Sequence, residues 1–426
     1  MLLLNITKMV NYSCEKCGKT FNQKGHYMKH LQRKNTCDNI KDKIEQIVEK
    51  KVDELVQEKL QDLVEKGSIE IKNKNLDNTQ INNMKKELGQ FYTKNYDYIL
   101  QNISIPENIK NIIEPFAGEG DLIDYIHSNN NEYSIEAFDI DPKKDYIISR
   151  DTLMSPPIYK NRFVISNPPY LARNKSDNKE IYDKYNENDL YKCFIINIIN
   201  DKCLGGILII PLNFICSTRK NDVLLRKKFL TVYSIKQINI FEESVFQDTS
   251  ATVCSILFDL NDGSDNEINI DVYPSKVNIK TKLSKENNYT IGGEIYNIKK
   301  NEDYKFKRLM TKNIEDKNTN IVIKCIDDNS KSMISADYVE EEKLFIDNTP
   351  KCSARGYLTL IINPPIDEEK QKKLVGDFNN YLKMNREKYN SLFLANYRES
   401  NDIARKRISF DLVYRIIGHL IDQTNQ

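Results

Sequence analysis

The stretch NIIEPFAGEGDLIDY, Asn111 to Tyr125, decides how the other residues of this 426-residue chain are read. An apolar run ends at Glu114, the turn after it holds Gly118 and Gly120, and a helix is expected to start near Asp121. Glycines in a strand-to-helix turn let the backbone come close to a ligand, and the helix start offers unpaired N–H groups to an anionic group. Alone, this is also ordinary turn chemistry of any βα unit. The next apolar run, IEAFDI, ends in Asp139. An acid about twenty residues beyond the glycines can take both hydroxyls of a ribose, so a nucleoside-containing cofactor is expected.

Outward from there, short apolar runs alternate with helical stretches: RFVISNPPY, GGILIIPL, SIKQINIF and ATVCSILF follow the first two. Such alternation predicts an α/β domain with a mostly parallel sheet over residues 85–262. Asp151 and Thr152 precede the run RFVIS, which delivers Asn167-Pro168-Pro169-Tyr170 at its carboxyl end, the edge where open α/β sheets bind ligands. Two prolines in series fix φ and remove two donors, so the default reading is a stiff turn. The chain repeats Asn-Pro-Pro at Asn363 to Pro365, without an aromatic after it, and there a turn or a helix start into EEKQKK is expected. After Asp262 the chain becomes polar, with weaker strands and a helical end, which predicts a separate α+β domain over 263–426.

Before the α/β region, residues 1–39 carry Cys14-x-x-Cys17, His30 and Cys37, with Phe21 and Tyr27 where a ββα finger needs its small core. A Zn2+ site on Cys14, Cys17, His30 and Cys37 is favoured; a set with His26 and His30 is the alternative. So little apolar content would not fold without metal. Its lysines and arginines suit phosphate contact, although a single finger could equally bind protein. Residues 40–75 read as a helical linker whose apolar stripe from Ile40 to Val64 leaves two outcomes open, a short coiled coil that makes a homodimer through 40–66, or a helix docked on its own protein.

Lys and Arg number 63 against 62 Asp and Glu, so a nucleic-acid surface must come from segregated charge. The nine cysteines lack the dense spacing of a disulfide framework, which points to a reducing compartment. No apolar run approaches membrane length, so no membrane partner is expected.

The order of these motifs resembles the S-adenosylmethionine-dependent N6-adenine DNA methyltransferases, in the arrangement with the target-recognition domain last. The resemblance runs from Gly89 to about Phe258 and more loosely to the C-terminus. Gly89-Gln-Phe-Tyr92-Thr93 looks like the family's motif over the cofactor's methionine end, with Lys94 where the family usually has Pro. Glu114, Pro115, Phe116, Ala117, Gly118 and Gly120 match the cofactor loop. Asp139 and Ile140 match the ribose acid and its adenine-packing neighbour, Asp151 with Thr152 the position that accepts from the adenine amino group, and Pro169 a further cofactor neighbour.

The resemblance implies a Rossmann-like methyltransferase sheet that binds S-adenosyl-L-methionine and acts on double-stranded DNA, in a restriction-modification setting. Asn167 and the Pro168 carbonyl would accept from the exocyclic amine of a flipped-out adenine, while Tyr170 and Phe246 sandwich the base. In the C-terminal domain, Arg398, Arg405, Lys406 and Arg407 become expected DNA contacts. The compartment is one with access to DNA, the cytoplasm first, a nucleus or viral factory second. RNA adenine or protein glutamine methylation, and a non-catalytic DNA-binding scaffold, are the rival readings.

Overall fold

The computed structural model describes residues 12–14, 19–31, 95–129, 132–243, 245–246, 252–263, 267–328, 332–348, 356–400 and 403–424. Tyr92, Thr93, Cys17, Cys37 and the linker of residues 40–75 lie outside the described residues. The chain divides into two units, Met1–Asp77 and Asn78–Gln426. In the first, β1 (Tyr12–Ser13) and β2 (Thr20–Phe21) form an antiparallel pair followed by α1 (Lys24–Leu31). Tyr27 stacks on Tyr12, Phe21 meets His30 at a ring distance of 5.0 Å, and Cys14 is buried.

The second unit begins with α2 (Tyr96–Ile99), then β3 (Asn111–Glu114), α3 (Asp121–Asn129), β4 (Ser134–Asp139), β5 (Ile148–Ser149) and β6 (Phe163–Ser166). The helices α4 (Glu180–Tyr185) and α5 (Leu190–Asp201) lead to β7 (Gly205–Pro211). Next come α6 (Asn213–Cys216), α7 (Lys220–Val232), β8 (Tyr233–Phe241), β9 (Val253–Leu260), β10 (Ile268–Tyr273) and β11 (Val277–Thr281). These strands form one nine-stranded mixed sheet in the order β11-β10-β8-β9-β7-β6-β3-β4-β5. The strands β5, β4, β3, β6 and β7 run parallel, and β9 inserts antiparallel between β7 and β8.

From β3 the chain winds out to β4 and β5, then crosses back to β6 and β7 on the other side of β3. That is a Rossmann-like arrangement, and the reversal leaves a crevice between the carboxyl ends of β3 and β6. The central strands are buried along their whole length, as Phe163-Val164-Ile165-Ser166 and Gly205 to Pro211 are, because helices cover both faces. Gly206 lets β7 come close to β6: a Cβ there would sit 2.4 Å from the Val164 carbonyl oxygen.

The expected boundary at 262 falls inside this sheet, since β10 and β11 extend it through Thr281. Ile268, Ile270 and Val272 alternate inward along β10 and give it an edge to pair with. Beyond it, β12 (Lys305–Arg308), β13 (Ile321–Lys324), β14 (Ala336–Tyr338) and β15 (Tyr357–Asn363) form an antiparallel sheet in the order β12-β15-β13-β14. It packs with α8 (Glu368–Tyr389) and with α9 (Phe410–Thr424), which follows the hairpin of β16 (Ala395–Ser400) and β17 (Ile403–Arg407). Asp367 caps α8 by accepting from the Lys370 N–H at 2.8 Å. One apolar cluster runs through both sheets, from Val164 and Ile210 to Leu360, Phe378 and Ile416.

Candidate active site

The turn after β3 is pinned to its surroundings by hydrogen bonds from its backbone and from Thr152. The Ala117 N–H donates to the Phe138 carbonyl and the Gly118 N–H to Asp139 Oδ2, both at 2.8 Å. Thr152 Oγ1 donates to the Pro115 carbonyl at 2.9 Å. Gly118 and Gly120 have φ of 54° and 86°, in the left-handed region that favours glycine. The turn feeds α3, whose first residue is Asp121.

Beside this turn lies a cavity of about 320 Å³, in the size range of a small-molecule site. Of the residues singled out in the sequence, Phe116, Gly118, Asp139, Ile140, Asp151, Thr152, Asn167 and Pro169 line it together. Asp139 is 3% exposed, its Oδ1 accepting from the Asp141 N–H while Oδ2 holds Gly118. Its two oxygens thus hold the turn on one side and the start of the following loop on the other. Ile140 is half exposed, an apolar surface of the kind a flat ring covers. Asp151 Oδ1 accepts from the N–H groups of Leu153 and Met154, which orients the carboxylate at the cavity wall.

Glu114, Pro115, Ala117, Gly120, Pro168, Tyr170 and Phe246 do not line the cavity. Glu114 is fully buried at the end of β3. Its Oε1 accepts from the Phe116 N–H at 3.0 Å and from Ser166 Oγ at 2.8 Å. Burial pushes its carboxyl up to about 8, against the pull of those two donors, and Asp139 adds to the rise. Tyr170 turns its hydroxyl inward to Asn167 Oδ1 and, at 2.6 Å, to the Ile209 carbonyl, and burial raises its pKa. The expected catalytic amide is therefore held by its own neighbour.

Two of the expected residues are buried. Phe246 is 6% exposed and belongs to the same apolar cluster as Ile165, Ile209, Phe241 and Val253. Lys406 is 3% exposed, because strand alternation turns it to the face opposite Arg407. Arg407 is partly exposed, and the side chains of Arg398 and Arg405 lie outside the described residues. Among the described residues no group of three or more His, Cys, Asp or Glu could hold a metal, and two of the four expected zinc ligands, Cys17 and Cys37, lie outside them.

The sequence reading missed Ser166 as the partner of Glu114, and it missed the segment Leu171 to Asn178, which supplies Lys175, Ser176, Asp177 and Asn178 to the cavity wall. The Ser166 pairing was open to inference from two polar residues ending adjacent buried strands. The loop carried no periodic signal. It is held by Lys179, whose Nζ donates to the Arg173 carbonyl at 2.6 Å, and by the Arg173 N–H donating to the Asn188 carbonyl at 2.9 Å. No helix among the described residues is long and apolar enough to cross a membrane.

No family model matches the sequence. Over 276 residues the chain is 26% identical to the Type II methyltransferase M.AccI of Acinetobacter calcoaceticus, a match that takes in 56% of this chain and 49% of that protein. The chain thus spans about half the length of the curated relative it matches. Among solved structures it is similar to the type I restriction-modification system methyltransferase subunit from Streptococcus thermophilus, with TM-score 0.33, 12% identity, and 43% of this chain and 47% of that one covered. It is also similar to the type IIG restriction endonuclease BpuSI, with TM-score 0.33, 13% identity, and 59% of this chain and 38% of that one covered.

Proposed function

We propose that the chain is an S-adenosylmethionine-dependent DNA methyltransferase that modifies the N6 amine of adenine, in a restriction-modification setting. The observation that carries the reading is the convergence of Gly118, Asp139, Asp151 and Asn167 on one cavity at the switch point of the sheet. The sequence likeness to a Type II methyltransferase supports it independently.

The residues present fit the cofactor. Asp139 would accept from the ribose hydroxyls, Ile140 and Pro169 would pack the adenine faces, Asp151 would accept from the adenine amine, and the turn of Phe116 to Gly118 would face the amino-acid end. Bound there, S-adenosylmethionine supplies an electrophilic methyl group. An exocyclic adenine amine is a poor nucleophile, because its lone pair is delocalised into the ring. Asn167 Oδ1 and the Pro168 carbonyl, accepting from its two hydrogens, would draw that lone pair out of the ring without a strong base. Pro169 stiffens the turn that aims the Pro168 carbonyl.

DNA contact would come from the hairpin of β16 and β17 through Arg398, Arg405 and Arg407, Lys406 being on the buried face. Zn2+ on Cys14, Cys17, His30 and Cys37 is supported by the ββα order of the first unit and by the proximity of Phe21 to His30. Loss of bound zinc in Cys17→Ala checks that ligand set; unchanged metal content refutes it.

The test is transfer of a tritiated methyl group to duplex DNA, RNA and protein offered side by side. Label recovered in DNA adenine is the expected outcome. Label confined to RNA or to protein glutamine would replace the substrate reading, and no label in any acceptor from a cofactor-binding protein would favour a non-catalytic scaffold.

A further inference from the structure

The short helix α4 reaches two separate parts of the cavity wall. Tyr182 is buried and lines the cavity, and its hydroxyl donates to the Leu171 carbonyl at 2.9 Å, one residue beyond Tyr170. The last two residues of the helix reach the turn that carries Asp151. Lys184 Nζ donates to the carbonyls of Leu153 at 3.0 Å and Met154 at 2.7 Å, and the Tyr185 hydroxyl donates to the Leu153 carbonyl at 2.5 Å. Neither of these two residues lines the cavity. The peptide unit between Leu153 and Met154 is thus gripped at both ends. A peptide bond is planar and trans, so its carbonyl and its N–H point in opposite directions. The Leu153 carbonyl is drawn to Lys184 and Tyr185, and the Met154 N–H of the same unit donates to Asp151 Oδ1 at 2.9 Å. The Leu153 N–H shares that oxygen at 3.0 Å. An amide whose carbonyl already accepts two bonds is polarised and donates more strongly through its N–H. Pinning Oδ1 fixes both torsions of the aspartate side chain, and with them the place of Oδ2.

We propose that Lys184 and Tyr185 are positioning residues for purine selection: acting through the Leu153–Met154 peptide, they hold Asp151 where it accepts from an exocyclic amine, and so set the preference of the site for a 6-aminopurine over a 6-oxopurine. This rests on the reading of the cavity as the S-adenosylmethionine site with Asp151 at the adenine amine. A 6-oxopurine puts a carbonyl oxygen where the amine was and carries its donor on N1 instead. A carboxylate held in place then faces an acceptor, and neither oxygen gains a bond. A carboxylate free to turn can swing to the N1–H and recover one. Selection therefore depends on the stiffness of the turn as much as on the presence of the acid. Freed from Lys184 and Tyr185, the peptide unit can rotate, the carboxylate follows it, and the discrimination fades.

The probes are S-adenosylhomocysteine and S-inosylhomocysteine, which differ only in the amine or oxygen at the purine 6-position and the proton on N1, titrated calorimetrically into the full chain. The wild type is expected to favour the adenosyl ligand by about 30-fold or more. Lys184→Met combined with Tyr185→Phe should cut that preference by about tenfold, with S-adenosylhomocysteine bound more weakly and S-inosylhomocysteine no more weakly than by the wild type. Lys184→Arg, which keeps a donor, should retain most of the preference. Lys184 is exposed and Tyr185→Phe removes a single oxygen, so each single variant carries the test where the double one fails to fold, with a cut of about threefold expected from each. An unchanged preference, or an equal loss of affinity for both ligands, overturns the inference while leaving the cofactor site intact. A wild type that binds both ligands alike overturns the placement of Asp151 and the inference with it. One that binds neither overturns the cofactor reading as well.

Discussion

The chain carries Asn-Pro-Pro twice, at Asn167 and at Asn363, and each copy ends a strand of a different sheet. Strand β6 is parallel to both neighbours and buried from end to end, so its carboxyl terminus opens into the crevice where the winding of the sheet reverses. Asn167 there lines the cavity with Asp139 and Asp151. Strand β15 is antiparallel to β12 and β13, and Asn363 is exposed, paired across the sheet with Lys305. The prolines after it lead into α8, whose start is capped by Asp367. The tripeptide is a stiff turn in both places. What differs is the kind of sheet edge that presents it, and only the copy at Asn167 lines the cavity.

The sharpest way to break this contrast is to remove each amide. Asn167→Ala should lower the methyl-transfer rate by about 100-fold or more, with ligand affinity held within about twofold, because its acceptor acts on the amine as it reacts. Asn363→Ala should stay within about twofold in the same assay. Equal losses would mean that the tripeptide matters only as a turn.

The two halves should also separate in stability. Arg386 donates through Nε and a terminal nitrogen to Asp328, whose side chain is 1% exposed, and Ser391 adds a third donor at 2.6 Å. Arg386→Ala strands that carboxylate and should cost about 3 kcal/mol in urea unfolding. Ligand affinity of the folded variant should not change. A matching loss of affinity would show that the second sheet props the cavity directly.

Tyr170→Phe keeps the ring and removes the hydroxyl that holds Asn167 and reaches the Ile209 carbonyl. About a threefold to tenfold fall in rate is expected, with ligand affinity unchanged, from the loss of one hydrogen bond. An unaltered rate would mean that Asn167 is oriented without it.

The smallest effect is on pH. Glu114 is raised from an ordinary 4.5 to about 8 by burial, so the unfolded chain ionises before the folded one. The stability it contributes is complete below about pH 4.5 and is lost as pH rises through about 8, which is the direction required when the folded state holds the extra proton. Glu114→Gln should flatten the ligand-free unfolding curve across that window. An unchanged curve would mean that Glu114 is ionised in the empty protein.

Much of this was legible in the sequence for a physical reason. A parallel sheet buried on both faces is written as uninterrupted apolar runs, such as Phe163 to Ile165 and Ile207 to Ile210, and its functional edge follows from where those runs stop. The turn glycines were legible because a turn with positive φ at Gly118 and Gly120 calls for that residue type. What stayed hidden depends on packing that local pattern does not encode. Strands β10 and β11 join the first sheet because the alternating β10 meets a free edge of β8, and that edge is not encoded in their own residues. Lys406 was grouped with its basic neighbours by position along the chain, whereas strand alternation sends it inward. Phe246 carries an aromatic ring that suits a base and a protein core equally, and its burial was not readable from its place in the chain. Ser166 and Glu114 meet only because their strands, far apart in sequence, are brought beside each other.

The most direct test of the central claim is single-base modification mapping of DNA from cells expressing the protein, with Asn167→Ala alongside. N6-methyladenine confined to one short sequence, and absent with the variant, is the predicted result. Unmodified DNA from cells holding a folded, ligand-binding protein, or the same modification with the variant, would contradict it.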